Sequence, residues 1–249
     1  MPNFVNEGVS LYYEVHGSGL PVVMLHGAAV SFEGNYGACG WIDPLTARGL
    51  QVIGLDFRGH GSSDKPADAA PHGTEPLTRD VIALLDHLGI PQAEIVGYSI
   101  GSTVALHLLH THPERFHAGA LVATGDGIIG HPPLTFPTML PPLVEILAWP
   151  ELPADVPPSV AFYYHFAESV GGSRAGVAAA LSGAYPPCSP EEAATDVRSW
   201  SSAAIKTSCS GRGRGSPKRS RAAVTSRSPV PTSSCSPSTR TFSARWPAS

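Results

Sequence analysis

Four short β-forming runs, with helix-forming segments between them, constrain the fold of this 249-residue chain more than any other feature. A mostly apolar run of this length is typical of a strand that is buried on both faces of a sheet. Strands that alternate with helices along a chain pair in parallel, and helices cover both faces of their sheet. The four runs are residues 21–25, 51–55, 93–97 and 118–123. We therefore predict an α/β fold with a mostly parallel, doubly wound sheet.

The segments around these runs carry matching turn and helix signals. Residues 9–15 have the aromatic and β-branched content of a strand, and turn residues follow at 17–19. This pattern favours an antiparallel hairpin at the start of the chain. Between the second and third runs, apolar residues at helical spacing occupy 81–88, and Gly89 is a helix stop signal.

The third run leads into residues 96–101, which fit the pattern Gly-x-Ser-x-Gly with Ser99 as an exposed nucleophile. A helix-forming segment follows at 103–110, so the serine lies at a strand-to-helix turn, the context that this motif requires. Bulky side chains two residues on either side of Ser99 would collide with the neighbouring strand and helix. The helix start also offers unpaired N–H groups to a developing oxyanion. The alternative is a glycine-rich helix start with an ordinary surface serine.

Two more motifs follow the first two runs: a His-Gly pair at residues 26–27 and an Asp-x-Arg-Gly-His-Gly-x-Ser-Asp segment at 56–64. In this order and spacing, the three motifs resemble the α/β-hydrolase family, nearest its small bacterial serine esterase, lactonase and cofactor-free haloperoxidase-like members. The resemblance covers roughly residues 1–200. It implies an α/β-hydrolase sheet with a helical cap insertion.

The resemblance also assigns roles to residues of the motifs. It implies that the backbone N–H groups of Ala28 and Ile100 hold the oxyanion, and that no cofactor or metal takes part. It implies structural roles for four residues of the motifs: His26, Gly27, Gly97 and Gly101. The aspartate nucleophile of the family's epoxide hydrolases and dehalogenases is absent, which disfavours those reactions.

We divide the chain into a first part of the α/β-hydrolase core (1–125), a cap region with the return toward the core (126–200), and a basic tail (201–249). The cap region begins with a proline-rich stretch, and helix-compatible segments follow at 159–181 and 190–200. Its apolar side chains would line an acyl pocket, or they would simply bury the cap against the sheet.

The catalytic set that the resemblance implies is incomplete in this sequence. The family order is serine, acid, histidine, with the acid after the cap and the histidine near the C-terminus. Here no carboxylate follows Asp196 and no histidine follows His165. Asp126 matches the position at which some family members carry the acid, or it is an ordinary turn aspartate. His131 and His165 lie in the cap region and are the remaining candidates for a general base.

The tail differs chemically from the rest of the chain. Residues 205–249 hold 9 of the 16 Lys and Arg and none of the 20 Asp and Glu, so a formal charge of −13 precedes one of +9. One interpretation is a basic disordered tail that touches nucleic acid or a membrane surface. The other hypothesis is a frameshifted translation of a GC-rich gene, because a shifted frame from about residue 204 permits an Asp and a Gly-Ala-His in the family order. If the tail is genuine, the C-terminal strands of the sheet are missing or altered.

Composition narrows the function classes further. The spacing of the four cysteines is typical of neither a metal site nor a disulfide framework. They are Cys39, Cys188, Cys209 and Cys235. No leader-like start and no membrane-length apolar run is present, so we expect a cytoplasmic protein without a membrane or nucleic-acid partner. The prediction is a serine hydrolase that cleaves a small carboxylic ester, thioester or lactone through an acyl-enzyme on Ser99. The alternative is a catalytically dead relative that binds a small apolar ligand. The sequence does not indicate an oligomeric state.

Overall fold

The computed structural model describes residues 2–68, 72–124, 141–147, 149–153, 155–156, 158–169, 173–186 and 198–201. Their strands are β1 (Asn3–Asn6), β2 (Val9–His16), β3 (Leu20–Leu25), β4 (Leu50–Leu55), β5 (Ala93–Tyr98), β6 (Phe116–Val122) and β7 (Arg198–Ser201). They form one sheet in the order β1-β2-β4-β3-β5-β6-β7. β2 is antiparallel to β1 and β4, and all other neighbouring strands are parallel.

The helices within the described residues are α1 (Ile42–Thr46), α2 (Thr74–His87), α3 (Ile100–Thr111), α4 (Pro141–Leu147), α5 (Pro158–Ser169) and α6 (Arg174–Leu181). A five-residue π-helical turn, Glu33–Gly37, follows β3. None of these helices has the length and apolarity that a membrane-spanning helix requires.

Alternate residues of the central strands serve two separate cores, which explains why these strands are apolar without interruption. Val23 and Leu25 of β3 join the larger core, which is completed by α2 and α3. Val22 and Met24 lie on the opposite face, in a smaller core against which Ile42 of α1 packs. Because successive side chains of a strand point to opposite faces, the prediction of a doubly wound sheet is confirmed.

The predicted strands are present, with ends that differ by one or two residues. An antiparallel hairpin opens the chain, as predicted, but its turn is at Glu7 and Gly8 and not at residues 17–19. Both turn residues have positive φ angles (49° and 78°), the conformation that a type I′ turn requires. After the turn residues at 17–19, the chain crosses to the centre of the sheet, where β3 pairs with β4 and β5.

The helix-compatible segment at 190–200 is wrong at its C-terminal end. Arg198–Ser201 form β7, which pairs in parallel with β6 from Ala118 to Leu121. An open strand edge offers unpaired N–H and C=O groups, and pairing with it satisfies the backbone of a segment whose helix propensity is weak. The sheet therefore continues at least one strand past β6.

Helices α4, α5 and α6, which we call the helical segment (residues 141–181), lie between β6 and β7 in the chain and contact one another. Leu147, Ala167 and Val177 of this segment form one buried cluster with Ala29, which follows β3. A Cβ atom on Gly59, in the turn after β4, would lie 2.8 Å from the carbonyl oxygen of Gly176 in α6. The helical segment is thus packed against loops at the carboxyl edge of the sheet.

Candidate active site

Ser99 stands between the last residue of β5 and the first residue of α3, in a strained backbone conformation. Its φ of 53° and ψ of −113° lie outside the regions that L-residues favour. Two other non-glycine residues have positive φ angles at the same edge: Ala29 after β3 (60°) and Ala123 after β6 (53°). Strained residues of this kind cluster at active sites. Three of the four described non-glycine residues with positive φ angles thus follow the carboxyl ends of three adjacent strands.

The two motif glycines are required by the packing around Ser99. A Cβ atom on Gly97 would lie 2.2 Å from the carbonyl oxygen of Gly101, and one on Gly101 would lie 2.3 Å from that of Leu25. Both distances are too short for any side chain. The close approach also places the first turn of α3 directly against the end of β3.

Ser102 holds the turn in place, a role that the sequence analysis missed. Its buried hydroxyl lies 2.7 Å from the carbonyl oxygen of Gly97 and 2.8 Å from that of Val122, and it accepts a hydrogen bond from the Val122 N–H at 3.0 Å. The Ser99 N–H also donates to the Val122 carbonyl, at 2.9 Å. The sequence feature that could have indicated this role is a serine that directly follows the Gly-x-Ser-x-Gly motif, among the apolar residues of the predicted helix.

His26 orients the loop that follows β3. Its Nε2 accepts a hydrogen bond from the Phe57 N–H at 2.9 Å, so the proton of the neutral ring is on Nδ1, which lies 2.7 Å from the Gly27 carbonyl oxygen and donates to it. Burial lowers the pKa of His26 to about 4, although the bond to Gly27 acts in the opposite direction. The imidazole is therefore neutral at physiological pH.

The bond to Gly27 also determines where the Ala28 N–H points. In a planar trans peptide, the C=O and the following N–H point in opposite directions. Because His26 holds the Gly27 carbonyl, it directs the Ala28 N–H away from the imidazole. Among the described residues, no hydrogen bond uses the Ala28 N–H. The Ile100 N–H is the first of α3, so it has no acceptor one turn earlier in its helix.

The motif at 56–64 braces the loops around the site. Buried Asp56 accepts hydrogen bonds from the Phe32 N–H at 2.7 Å and the Ser62 N–H at 2.8 Å. Burial raises the pKa of this carboxyl, and the two N–H donors oppose the rise. Arg58 and Asp80 form a buried bidentate ion pair, with Nε to Oδ2 at 2.7 Å. These contacts give the motif a structural function.

The proposed acid and bases are not joined to Ser99 by the described contacts. Asp126 and His131 lie outside the described residues. His165 lies exposed on α5, where its ring meets the Tyr164 ring edge-on at 5.4 Å. It borders a hollow of about 580 Å³ whose lining residues all fall between Pro150 and Arg174. Among the described residues, no hydrogen bond links His165 to Ser99.

These features together define a class of protein: a doubly wound α/β protein whose strained serine follows a central parallel strand, beside a His-Gly loop. The family model for the alpha/beta hydrolase fold matches residues 21–168, which is more than half of the chain. The chain therefore belongs to the α/β-hydrolase family, as the sequence predicted.

Individual relatives differ in what their names say they cleave. The chain is 33% identical over 135 residues to a putative carbamate hydrolase RutD of Azorhizobium caulinodans, which covers 52% of the chain and 48% of the relative. It is 31% identical over 121 residues to bifunctional epoxide hydrolase 2 of Rattus norvegicus, which covers 48% of the chain and 21% of the relative. The matched part thus spans less than half of either relative.

Solved structures show the same fold. The structure of Est816, an N-acyl homoserine lactone degrading enzyme, matches with a TM-score of 0.53 and 28% identity. That match covers 72% of this chain and 70% of the Est816 chain. The chain is therefore similar to Est816 over most of both proteins.

Proposed function

We propose that the protein is a serine hydrolase that cleaves a small carboxylic ester, thioester or lactone through an acyl-enzyme on Ser99. The observation that carries the proposal is the position of Ser99 on a strained strand-to-helix turn. The Ile100 N–H is adjacent in the chain, and the His26-oriented loop lies against the same turn of α3. Preorganised N–H donors of this kind stabilise the oxyanion that develops during acyl transfer.

The reaction proceeds in two halves. The Ser99 Oγ attacks the carbonyl carbon while a general base takes the hydroxyl proton, and the Ala28 and Ile100 N–H groups hold the oxyanion. Collapse of the tetrahedral intermediate breaks the bond to the leaving group, which receives the proton. Water then attacks the acyl-enzyme by the same route and regenerates Ser99. Asp126, in the segment after β6, remains the proposed acid.

The identity of the nucleophile favours acyl transfer over epoxide opening. A hydroxyl at the turn forms an ester with an acyl group, and water hydrolyses that ester. The aspartate that would serve as nucleophile for an epoxide is absent at position 99. The likeness to a lactone-degrading enzyme supports a lactone or a related ester as the substrate class. We propose a small-molecule substrate and a cytoplasmic location.

The helical segment supports a cap role for residues 126–200. Its buried cluster includes Ala29, next to the proposed oxyanion donor Ala28. The acyl chain of a substrate bound beside Ala28 would therefore contact apolar residues of the helical segment. The cap, the division of the chain into three parts and the acyl pocket are proposals that rest on this packing.

A second candidate function is ligand binding without turnover, and the composition of the tail favours it. No histidine follows His165 and no carboxylate follows Asp196. In a serine protease, loss of triad members lowers kcat by about 10⁴ to 10⁶. Such a protein would retain an apolar site beneath the helical segment and bind a small apolar ligand there.

The first experiment measures hydrolysis of p-nitrophenyl acetate and of an N-acyl homoserine lactone by the purified protein, by Ser99→Ala and by Ser62→Ala. Ser62 is an exposed serine whose contact with Asp56 uses its backbone N–H, so its variant is a matched control. We expect Ser99→Ala alone to abolish hydrolysis. Equal rates for the wild type and Ser99→Ala would exclude Ser99 as the nucleophile.

The second experiment separates the two candidates by peptide mass mapping of residues 201–249. Peptides that match the Ser- and Arg-rich sequence, together with tight ligand binding and no turnover, would favour the dead relative. Peptides of the shifted frame would restore an acid and a histidine, and they would favour the hydrolase.

A further inference from the structure

The π-helical turn Glu33–Gly37 carries a side chain that reaches back to the loop after β3. The Asn35 Oδ1 accepts a hydrogen bond from the Gly27 N–H at 2.9 Å. The turn itself is well anchored: the Asn35 N–H donates to the Ser31 carbonyl at 2.9 Å, and the Tyr36 hydroxyl donates to the Leu25 carbonyl at 3.0 Å. Asn35 is thus an acceptor on a braced support, directed at the backbone beside the proposed oxyanion donor.

We propose that Asn35 is a positioning residue for the oxyanion site, an inference that rests on the proposed serine hydrolase function. Gly27 belongs to two peptide planes. Asn35 holds the plane on its N-terminal side through the N–H, and His26 holds the plane on its C-terminal side through the C=O. Both planes must be fixed before the direction of the Ala28 N–H is fixed, because rotation about either bond of the Gly27 Cα would redirect it.

Steric contacts make this arrangement sensitive to small shifts. A Cβ atom on Gly27 would lie 3.0 Å from the Tyr98 ring and 3.6 Å from the Asn35 Oδ1. Tyr98 precedes Ser99, so the loop is confined between the residue before the nucleophile and the side chain of Asn35. Without the Asn35 acceptor, the loop still lies against the Tyr98 ring, but the hydrogen bond from the Gly27 N–H on its other side is lost.

The chemistry of the side chain also suits the site. A carboxamide oxygen accepts the Gly27 N–H without a formal charge. A carboxylate in the same position would place negative charge beside the site where the oxyanion forms, and it would oppose the oxyanion electrostatically. A neutral acceptor is therefore the group that orients the loop without this penalty.

The test is Asn35→Leu, which keeps a similar volume and removes the acceptor. We expect kcat for p-nitrophenyl acetate to fall by about tenfold to a hundredfold, with KM within about twofold, because oxyanion donors act on the transition state. Hydrogen exchange of the Gly27 amide, followed by NMR, should accelerate. Exchange does not require turnover, so this readout applies to an inactive protein as well.

Two variants serve as controls. Asn35→Asp retains an acceptor oxygen, so Gly27 exchange should stay slow, while its charge lowers kcat. Gln92→Leu removes an amide side chain that donates to the Glu114 carbonyl at 2.8 Å, just before the amino end of β5 and away from the site, and its kcat should stay within about twofold of the wild type.

The inference is overturned if Asn35→Leu leaves Gly27 exchange at the wild-type rate. It is also overturned if Asn35→Leu raises KM and leaves kcat unchanged in a protein that Ser99→Ala inactivates. Failure of the proposed function has a different signature: hydrolysis that is unaffected by Ser99→Ala. In that case, accelerated Gly27 exchange in Asn35→Leu would still show that Asn35 holds the Gly27 N–H. An unchanged kcat would show that this hydrogen bond has no effect on catalysis.

Discussion

The buried hydroxyl of Ser102 accepts a hydrogen bond from the Val122 N–H at 3.0 Å, which ties the helix after Ser99 to the end of the neighbouring strand. The same hydroxyl reaches the carbonyl oxygens of Gly97 and Val122. Ser99 is therefore held on both sides of its strained backbone. This clamp lies wholly in residues that precede the helical segment and the tail.

Replacement of Ser102 by alanine should destabilise the protein by about 1 to 3 kcal/mol, because the buried Gly97 carbonyl and the partly buried Val122 N–H lose the Ser102 hydroxyl as a partner. Urea unfolding of Ser102→Ala and the wild type measures the difference. Ser182→Ala is the control: the exposed Ser182 donates to the Ala178 carbonyl at 2.8 Å, and its loss should cost less than about 1 kcal/mol. Equal losses in the two variants would contradict the clamp.

Replacement of Gly101 by alanine should prevent the strand-to-helix turn at Ser99 from forming, since the new Cβ would lie 2.3 Å from the Leu25 carbonyl oxygen. We expect a loss above about 4 kcal/mol or an insoluble protein. Gly40→Ala separates sterics from backbone strain, because Gly40 has a φ of 72° and open space around it. That control should cost only about 1 kcal/mol. Soluble Gly101→Ala with wild-type unfolding would refute the packing argument.

Stability should fall as the pH is lowered from about 6.5 toward 4. Burial lowers the pKa of His26 to about 4 and that of His60 to about 3, and repulsion from the nearby Lys65 and from His26 in its protonated form adds to the effect on His60. The unfolded chain binds protons at these histidines near pH 6.5, before the folded chain does, so stability rises with pH across this window. Each group contributes a slope of about 1.4 kcal/mol per pH unit.

Urea unfolding at several pH values tests this sign. The ring centroids of His26 and His60 are 5.2 Å apart, so His60→Phe keeps a ring beside His26. It should reduce the pH dependence of the unfolding free energy by the contribution of one histidine. Gln92→Ala, a change at an exposed residue without a titratable side chain, should leave the slope as it is in the wild type. A slope that is unchanged in His60→Phe would show that this histidine is not responsible.

Two arginine ion pairs with different burial should differ in their importance. Arg58 and Asp80 are both buried, so Asp80→Asn removes the carboxylate charge that faces the buried guanidinium at the closest range and should cost about 3 to 5 kcal/mol. The Arg79 to Glu7 pair, at 2.7 Å, is exposed, and Arg79→Ala should cost less than about 1 kcal/mol. Thermal or urea unfolding of both variants compares them. Comparable losses would contradict the role of burial.

The central sheet was predictable because burial on both faces leaves a pattern in consecutive residues. Residues 21–25 are apolar throughout since Val22 and Val23 enter different cores. The strand-to-helix turn at Ser99 was equally predictable, because close packing around Gly97 and Gly101 excludes all other residues at these two positions.

Asn35 and Ser102 were not predictable in the same way. Each acts through one polar side chain on a backbone group that is distant in sequence, and such a contact leaves no periodicity. β7 was missed for a related reason, because four residues gain strand structure only from the open edge of β6.

Val122 is the last strand residue that anchors the turn of Ser99. It is held through its N–H and its carbonyl oxygen, and the reversal of φ at Ala123 begins a new chain direction immediately afterwards. The anchor of the Ser99 turn at Val122 is therefore complete before the chain reaches the helical segment. A chimaera that joins the first 124 residues to the remaining part of another family member would keep this anchor, and it would separate the contribution of the turn from that of the helical segment.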